Sequence, residues 1–486
     1  MKARELVPAI LIAAGACRVA PEYEEPAVEV PPAWSPESDV AASAEPPERW
    51  WQSFGDPELD SLVARAVGAN LDLALARARV REARASRDVI AGERLPEIDA
   101  HAAFTRSQSS ANTVQGSITG TSPRNLYDVG FDAIWEVDLF GSIRYAVEAA
   151  EAGVQVAEEN RRDALVSLLG EVAREYVELR GAQRQRDILR ENVEAQRQTL
   201  ELTRVRFQAG LSTELDVARS QTLLANTEAL IPSLEADASG GIHRLSVLLG
   251  ESPGSLQAEL SGAAPVPQVG DALTDFAAGL PSDLLRRRPD VRRAERELAQ
   301  AAALTAEATA NLYPKLTLGA SLGLQSLESG SLFEGDSQAW SVGGGLFAPI
   351  FAGDRLRAAV RVQDARQEQA LAIYQQTILS ALEEVETSLV SVARQRERRT
   401  SLVVALQASR RALELANDLH LRGLADFFEV LDAQRSKLLA ESELARSDTL
   451  LASGTVALYK SLGGGWETLD AETDAQPAEP DQASGH

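Results

Sequence analysis

Residues 354–422 read DRLRAAVRVQDARQEQALAIYQQTILSALEEVETSLVSVARQRERRTSLVVALQASRRALELANDLHLR, without a glycine or a proline. The run is rich in Ala, Leu, Gln, Glu and Arg, the residues that lose least on entering a helix. Ile378, Leu382, Val385, Leu389 and Val392 recur at coiled-coil spacing. As one helix the run is about 100 Å long, whereas a small domain is only about 30 Å across. Such a helix has to lie beside other long helices. It stops at Gly423-Leu424-Ala425-Asp426, and a second helical stretch, Phe427 to Leu462, ends at Gly463-Gly464-Gly465. Glycine suits both ends because it adopts left-handed backbone angles without a Cβ clash. The unit is a long helical hairpin with a tight tip.

The same hairpin occurs earlier. Arg144 to Ala209 is helical in pattern and proline-free, turns at Gly210-Leu211-Ser212-Thr213, and returns as Glu214 to Leu249 before Gly250. Gly210 and Gly423, Gln221 and Gln434, Gly250 and Gly463 are all 213 residues apart. A repeat that keeps its length through a coiled coil is keeping its packing register.

Strands precede each hairpin. After Leu95-Pro96 the apolar period changes from 3.6 to 2: Ile98, Ala100, Ala102 and Phe104 alternate with Asp99, His101, Ala103 and Thr105. Beyond a Ser/Thr/Gly/Asn loop, Val129, Phe131, Ala133, Trp135, Val137 and Leu139 alternate with mainly polar residues. Tyr313-Pro314 in the second half matches Leu95-Pro96. It opens the alternation Leu316, Leu318, Ala320, Leu322, Leu324, and Trp340, Val342, Gly344, Leu346 follow. Each half is therefore helix, strand, loop, strand, long helix, turn, helix. The expected organisation is a signal peptide at 1–16 and a Pro-rich arm at 17–49. A first repeat follows at 50–250, with strands near 97–106 and 127–138 and hairpin 144–250. After a linker at 251–281 comes a second repeat at 282–466, with strands near 315–324 and 339–348 and hairpin 354–463. An acidic, disordered tail occupies 467–486. Trp50, Trp51 and Phe54 read as packing anchors, and Asp56-Pro57 as a helix cap with proline at the first helical position.

Composition excludes several functions. The net charge of −24 argues against nucleic acid, which demands basic surface. One cysteine permits no internal disulfide, and four histidines without a CxxC leave no His/Cys metal site. His101, His243 and His420 lie on different elements, and Glu383-Glu384 reads as a solvated helix face, so no catalytic set and no cofactor is expected. No run approaches the roughly 20 apolar residues of a spanning helix. Lys2 and Arg4, the apolar Leu6 to Ala14 and the small Ala14-Gly15-Ala16 place Cys17 where a bacterial lipoprotein signal would put its acylated residue. Ala14 departs from the leucine usual there.

Each strand, at about nine residues, suits a tilted bilayer strand of about 30 Å. Four strands cannot close a membrane barrel, which needs at least about eight, and an open sheet in lipid leaves unpaired edge groups. Either the sheet is a soluble half-buried meander, or several protomers pool strands into one barrel. The apolar faces carry Phe and Trp with no helix left over to cover them, which favours pooling. Three protomers would supply 12 strands.

WWQSFGDPELDSLV (50–63), LPSDLLRRRPDV (280–291), FFEVLDAQR (427–435), the lipobox and the arm motif PEYEEP resemble the recurring motifs of the TolC/OprM/NodT outer-membrane efflux factors, in their lipoprotein branch. The resemblance covers roughly Cys17 to Gly465. It implies a mixed α and β, TolC-like protomer in a homotrimer, whose 12-stranded outer-membrane β-barrel continues as a long α-helical periplasmic tunnel. It implies the outer-membrane channel of a tripartite efflux pump, exporting drugs or other toxic small molecules. The implied partners are a periplasmic adaptor (membrane fusion) protein, an inner-membrane transporter of the resistance-nodulation-division type, and outer-membrane lipid. Phe428 and Asp432 match the family's constricting apolar and aspartate rings. Glu429 and, at the equivalent position of the first tip, Asp216 complete the expected periplasmic gate. Gly210, Leu211, Gly423 and Leu424 are the expected adaptor contacts. The alternative is a periplasmic coiled-coil structural lipoprotein that never spans the membrane, whose strand faces would be polar or covered.

Overall fold

The computed structural model describes residues 19–34, 47–114, 118, 120–268, 281–467 and 469. The expected signal peptide, Cys17 and nearly all of the acidic tail lie outside the described residues. Helices α1 (Pro57–Ala69) and α2 (Leu71–Gly92) lead to strands β1 (Glu97–Ser107) and β2 (Arg124–Val137), then to α3 (Ser142–Gln208), α4 (Glu214–Glu228) and α5 (Ile231–Leu248). The second half runs α6 (Pro281–Arg287), α7 (Pro289–Ala310), β3 (Lys315–Ser326), β4 (Gln338–Phe347), α8 (Arg355–Leu421) and α9 (Phe427–Ser461). α3 and α8 each have 67 residues.

The repeat predicts one returning helix from Glu214 to Leu249, and here the structure differs. The arm is two helices, α4 and α5, separated at Ala229 and Leu230. Pro232 is the cause. It has no N–H to bond back, and its ring would clash with the carbonyl four residues earlier, so it is accepted only in the first turn of a new helix. In the second repeat α9 carries alanine at the equivalent Ala445 and is unbroken.

The chain divides into two compact units, and each draws on both repeats. One comprises the chain through Ala27, Arg79–Glu158 and Arg293–Tyr374. It holds a single antiparallel sheet in the order β1-β2-β3-β4, so the two repeats join at β2 and β3. The registers Ala100↔Phe131, Phe131↔Leu322 and Leu322↔Trp340 put these four residues on one face. That face is exposed: Phe131 by 59%, Leu322 by 62% and Trp340 by 75%. The opposite face carries Asp99, Asp132, Ser321 and Ser341 in one rung, with Ser321 and Ser341 hydroxyls 2.8 Å apart. In the next rung a Cβ on Gly130 would come within 2.9 Å of Gly323 Cα, so two glycines are required where these strands meet. The His101 ring lies against that gap, 2.9 Å from an Asp132 oxygen and 3.5 Å from Asp128. In the same unit the arm is held by tyrosines: Tyr23 donates to Glu295 (2.9 Å), and Tyr374 lies 3.4 Å from Glu25.

The other unit comprises Val28–Ala78, Glu159–Arg292 and the chain from Gln375 onward. Its core gathers Trp50, Trp51 and Phe54 with Leu59 and Leu62 of α1, Val172 and Tyr176 of α3, Leu245 of α5, Val385 and Leu389 of α8, and Val456 and Tyr459 of α9. Burying each of these aliphatic side chains is worth about 1.5–3 kcal/mol. Trp50 stacks on Tyr459 at 5.2 Å. Asp56 caps α1 by accepting from Glu58 N–H (3.0 Å), and its second oxygen accepts from Tyr176 (2.8 Å).

Candidate functional site

Both hairpin tips lie in the second unit and close in the same way. Gly210 and Gly423 both have φ 72°, the left-handed conformation that terminates a helix. Gly210 N–H donates to Phe207 O (2.9 Å) and Leu211 N–H to Arg206 O (2.8 Å). Gly423 N–H donates to His420 O (3.0 Å) and Leu424 N–H to Leu419 O (2.9 Å). These paired bonds satisfy the last carbonyls of α3 and α8. The residue after each glycine is left projecting: Leu211 and Leu424 are both 71% exposed.

The outgoing turns differ. Thr213 caps α4 in a full capping box: Asp216 N–H donates to Thr213 Oγ1, and Asp216 Oδ2 accepts from Thr213 N–H (3.0 Å). The same oxygen accepts from the Thr213 hydroxyl (2.8 Å) and the Ser212 hydroxyl (3.1 Å). Burial alone would raise the Asp216 carboxyl, but the bonds from Thr213 and Ser212, with Arg219 nearby, hold it below the ordinary aspartate value. Asp216, expected in the gate with Glu429, is thereby occupied as a cap. Asp426 stands at the N-cap of α9 without a side-chain cap bond. The second turn is braced instead by His420, whose Nδ1 donates to Ala425 O (3.1 Å) and whose ring packs on Phe427 at 5.4 Å.

Phe428, Glu429 and Asp432 occupy the first two turns of α9. Phe428 and Asp432, four apart, share one face. Phe428 is 51% exposed, and Asp432 pairs with Arg435 at 2.8 Å. The two hairpins are joined through α9: the Arg219 guanidinium of α4 lies over the Phe428 ring at 5.3 Å, and Gln434 Nε2 donates to Thr199 Oγ1 of α3 (2.9 Å). Arg219 escaped the sequence reading. It stands at the position of the first repeat that Asp432 fills in the second, so the 213-residue offset could have singled it out.

Among the described residues no group of three or more His, Cys, Asp or Glu side chains could hold a metal ion, and no helix is long and apolar enough to cross a membrane.

A family model described as outer membrane efflux protein matches residues 62–251 and 280–464. The chain is 33% identical over 471 residues to the pyoverdine export outer membrane protein OpmQ of Pseudomonas aeruginosa, covering 96% of this chain and 98% of that one. It is 32% identical over 465 residues to the outer membrane protein OprJ of the same organism, covering 95% and 96%. The solved outer-membrane channel OprN superposes with a TM-score of 0.87 at 36% identity, covering 93% of this chain and 100% of that one.

Proposed function

This chain belongs to the outer membrane efflux protein family, whose members are channels rather than enzymes, and we propose from that premise that three copies form one gated exit duct. As the outer-membrane component of a tripartite efflux pump, it works with periplasmic and inner-membrane partners. The observation that carries the trimer is the open sheet. β1 and β4 are edge strands, and one sheet face is apolar and exposed. In lipid each unpaired edge group costs several kcal/mol, and closure against other copies removes that cost. Three copies pool 12 strands into a barrel with the Asp, Ser and Gly face toward water. The non-spanning scaffold is not favoured, because it requires that apolar face to be covered.

The helical hairpins continue the barrel as a periplasmic tunnel. At its end three Phe428 side chains form a ring one turn from a ring of three Asp432 carboxylates. A periplasmic adaptor contacts the projecting Leu211 and Leu424 beside Gly210 and Gly423 and moves the tip helices outward. An inner-membrane transporter of the resistance-nodulation-division type supplies the cargo, drugs or other toxic small molecules. These leave passively, without chemistry. Acylated Cys17 adds a lipid anchor; a single chain anchors only marginally, so the barrel holds the protein in place. Replacing Phe428 and Asp432 together by alanine should raise the single-channel conductance of the reconstituted protein several-fold. An unchanged conductance removes both from the gate. Migration of the unheated protein as a monomer would overturn the trimer.

A further inference from the structure

The seam between α3, α4 and α9 near the tips is polar where a coiled coil is ordinarily apolar. Asn192, Gln196, Thr199 and Thr203 follow 4-3-4 spacing along α3 and share one face. Asn192, Gln196 and Thr203 are 5% exposed or less. Asn192 Nδ2 donates to Glu441 Oε2 (3.1 Å), and Thr199 accepts from Gln434. Seven residues along α3 match seven residues back along α9, so the two helices run antiparallel in one register. Some of the seam is satisfied: the Thr203 hydroxyl donates to Thr199 O (2.8 Å). The rest is not. Both amide atoms of Gln196, the hydroxyl of Ser220 on α4 and Oε1 of Gln434 are enclosed and have no hydrogen-bond partner among the described residues. Gln196 is 3% exposed and Ser220 2%.

An enclosed polar group without a partner retains its full desolvation penalty. The close-packed tips therefore carry a destabilisation that any arrangement admitting water to these groups relieves. We propose that Gln196, Ser220 and Gln434 are positioning residues of the gate, which keep its closed and open arrangements close in free energy. The proposal rests on the gate reading above. An adaptor that binds the parted tips only somewhat better than the closed ones then suffices to open the duct, because a ligand shifts an equilibrium by its differential affinity. The apolar layers beside the seam, Val193 with Leu200 and Leu224, and Ile188 with Leu438, hold the helices together while the polar layer lowers the cost of parting them.

The test uses the full-length protein in planar lipid bilayers with a parallel thermal melt. Gln196→Leu and Ser220→Ala should each raise the melting temperature and lower the open probability, by about tenfold for the larger change. Ser447→Ala is the control: its hydroxyl is equally enclosed and without a hydrogen-bond partner among the described residues but lies further along α9 from the tip. It should raise the melting temperature and leave the open probability unchanged. The proposal is overturned if Gln196→Leu and Ser220→Ala lower the melting temperature or leave the open probability unchanged. It is also overturned if Ser447→Ala closes the channel as strongly. Should the Phe428 and Asp432 substitutions fail to change conductance while Gln196→Leu still closes the channel, the gate residues are wrong and the seam stands. The reverse pattern retires the seam alone.

Discussion

The two hairpins are the same object built twice, and they differ most on the returning arm. Both turn at a glycine with φ 72°, both leave a leucine 71% exposed, and both place an Arg–Glu pair at equivalent positions, Arg197–Glu228 and Arg410–Glu441, each at 3.0 Å. Yet the first arm is capped and broken, α4 then α5, whereas the second is uncapped by its side chain and continuous. The gate candidates Phe428 and Asp432 ride on the continuous arm. The broken arm supplies Arg219, which covers Phe428. A difference is thus superimposed on a repeat: one arm carries the proposed gate residues, and the other has a joint.

The largest effect should come from moving the joint. Ala445→Pro places in α9 the residue that breaks the first arm, but in a helix interior where Ala445 is 5% exposed. Loss of the backbone bond and the ring clash cost about 3 kcal/mol or more. We expect the proposed trimer to melt markedly earlier or fail to form. Pro232→Ala, which permits α4 and α5 to fuse, should shift the melt far less. If the two substitutions have equal effects, the arms are mechanically alike and the comparison fails.

This joint was readable in the sequence and the repeat hid it. The 213-residue offset registers glycines and glutamines, and it carried the fold: hairpins, four alternating strands and their order follow from periodicity and turn residues alone. The same offset sets Pro232 against Ala445, a proline against an alanine, and so masks the break. The capping box is similarly local, since Thr213 and Asp216 stand at the spacing of that motif. What the sequence could not carry is partnership across elements. Arg219 meets Phe428 only because α4 packs on α9. Asn192, Gln196, Thr199 and Thr203 keep a coiled-coil period, but polar residues in that period read as a solvated face. Only the packing of α9 and α4 over them turns the stripe into a seam.

A middle-sized effect should distinguish the two outgoing turns. Thr213→Ala removes the hydroxyl that accepts from Asp216 N–H, while the backbone N–H of residue 213 still donates to Asp216, and should cost about 1 kcal/mol. Asp426→Ala should cost little, because that side chain makes no cap bond. Limited proteolysis reports this locally: Thr213→Ala should speed cleavage after Arg204 and Arg206, with no matching increase after Arg422 in Asp426→Ala. Equal acceleration at both tips would mean that the second turn has a cap of its own.

The smallest effect separates the paired arginine–glutamate bridges. Glu228 is exposed with its Arg197, and such pairs contribute about 0–1 kcal/mol. Glu441 makes the same bridge but has only 11% of its side chain exposed, because Asn192 and Lys437 also reach it. Burial alone would raise its carboxyl, but bonds from Asn192, Arg410 and Lys437 outweigh burial and hold it below the ordinary glutamate value of 4.5. A group whose folded value is depressed contributes stability above its unfolded value and loses it as pH falls through the folded one. Acidification below about 4.5 should therefore loosen the α3–α9 seam, seen as faster hydrogen exchange of the amides around Asn192. Glu441→Gln should reduce that acid response, and Glu228→Gln should leave it in place. If Glu228→Gln blunts the response as much, burial beside Asn192 does not distinguish the two bridges, and the two arms answer acid as one.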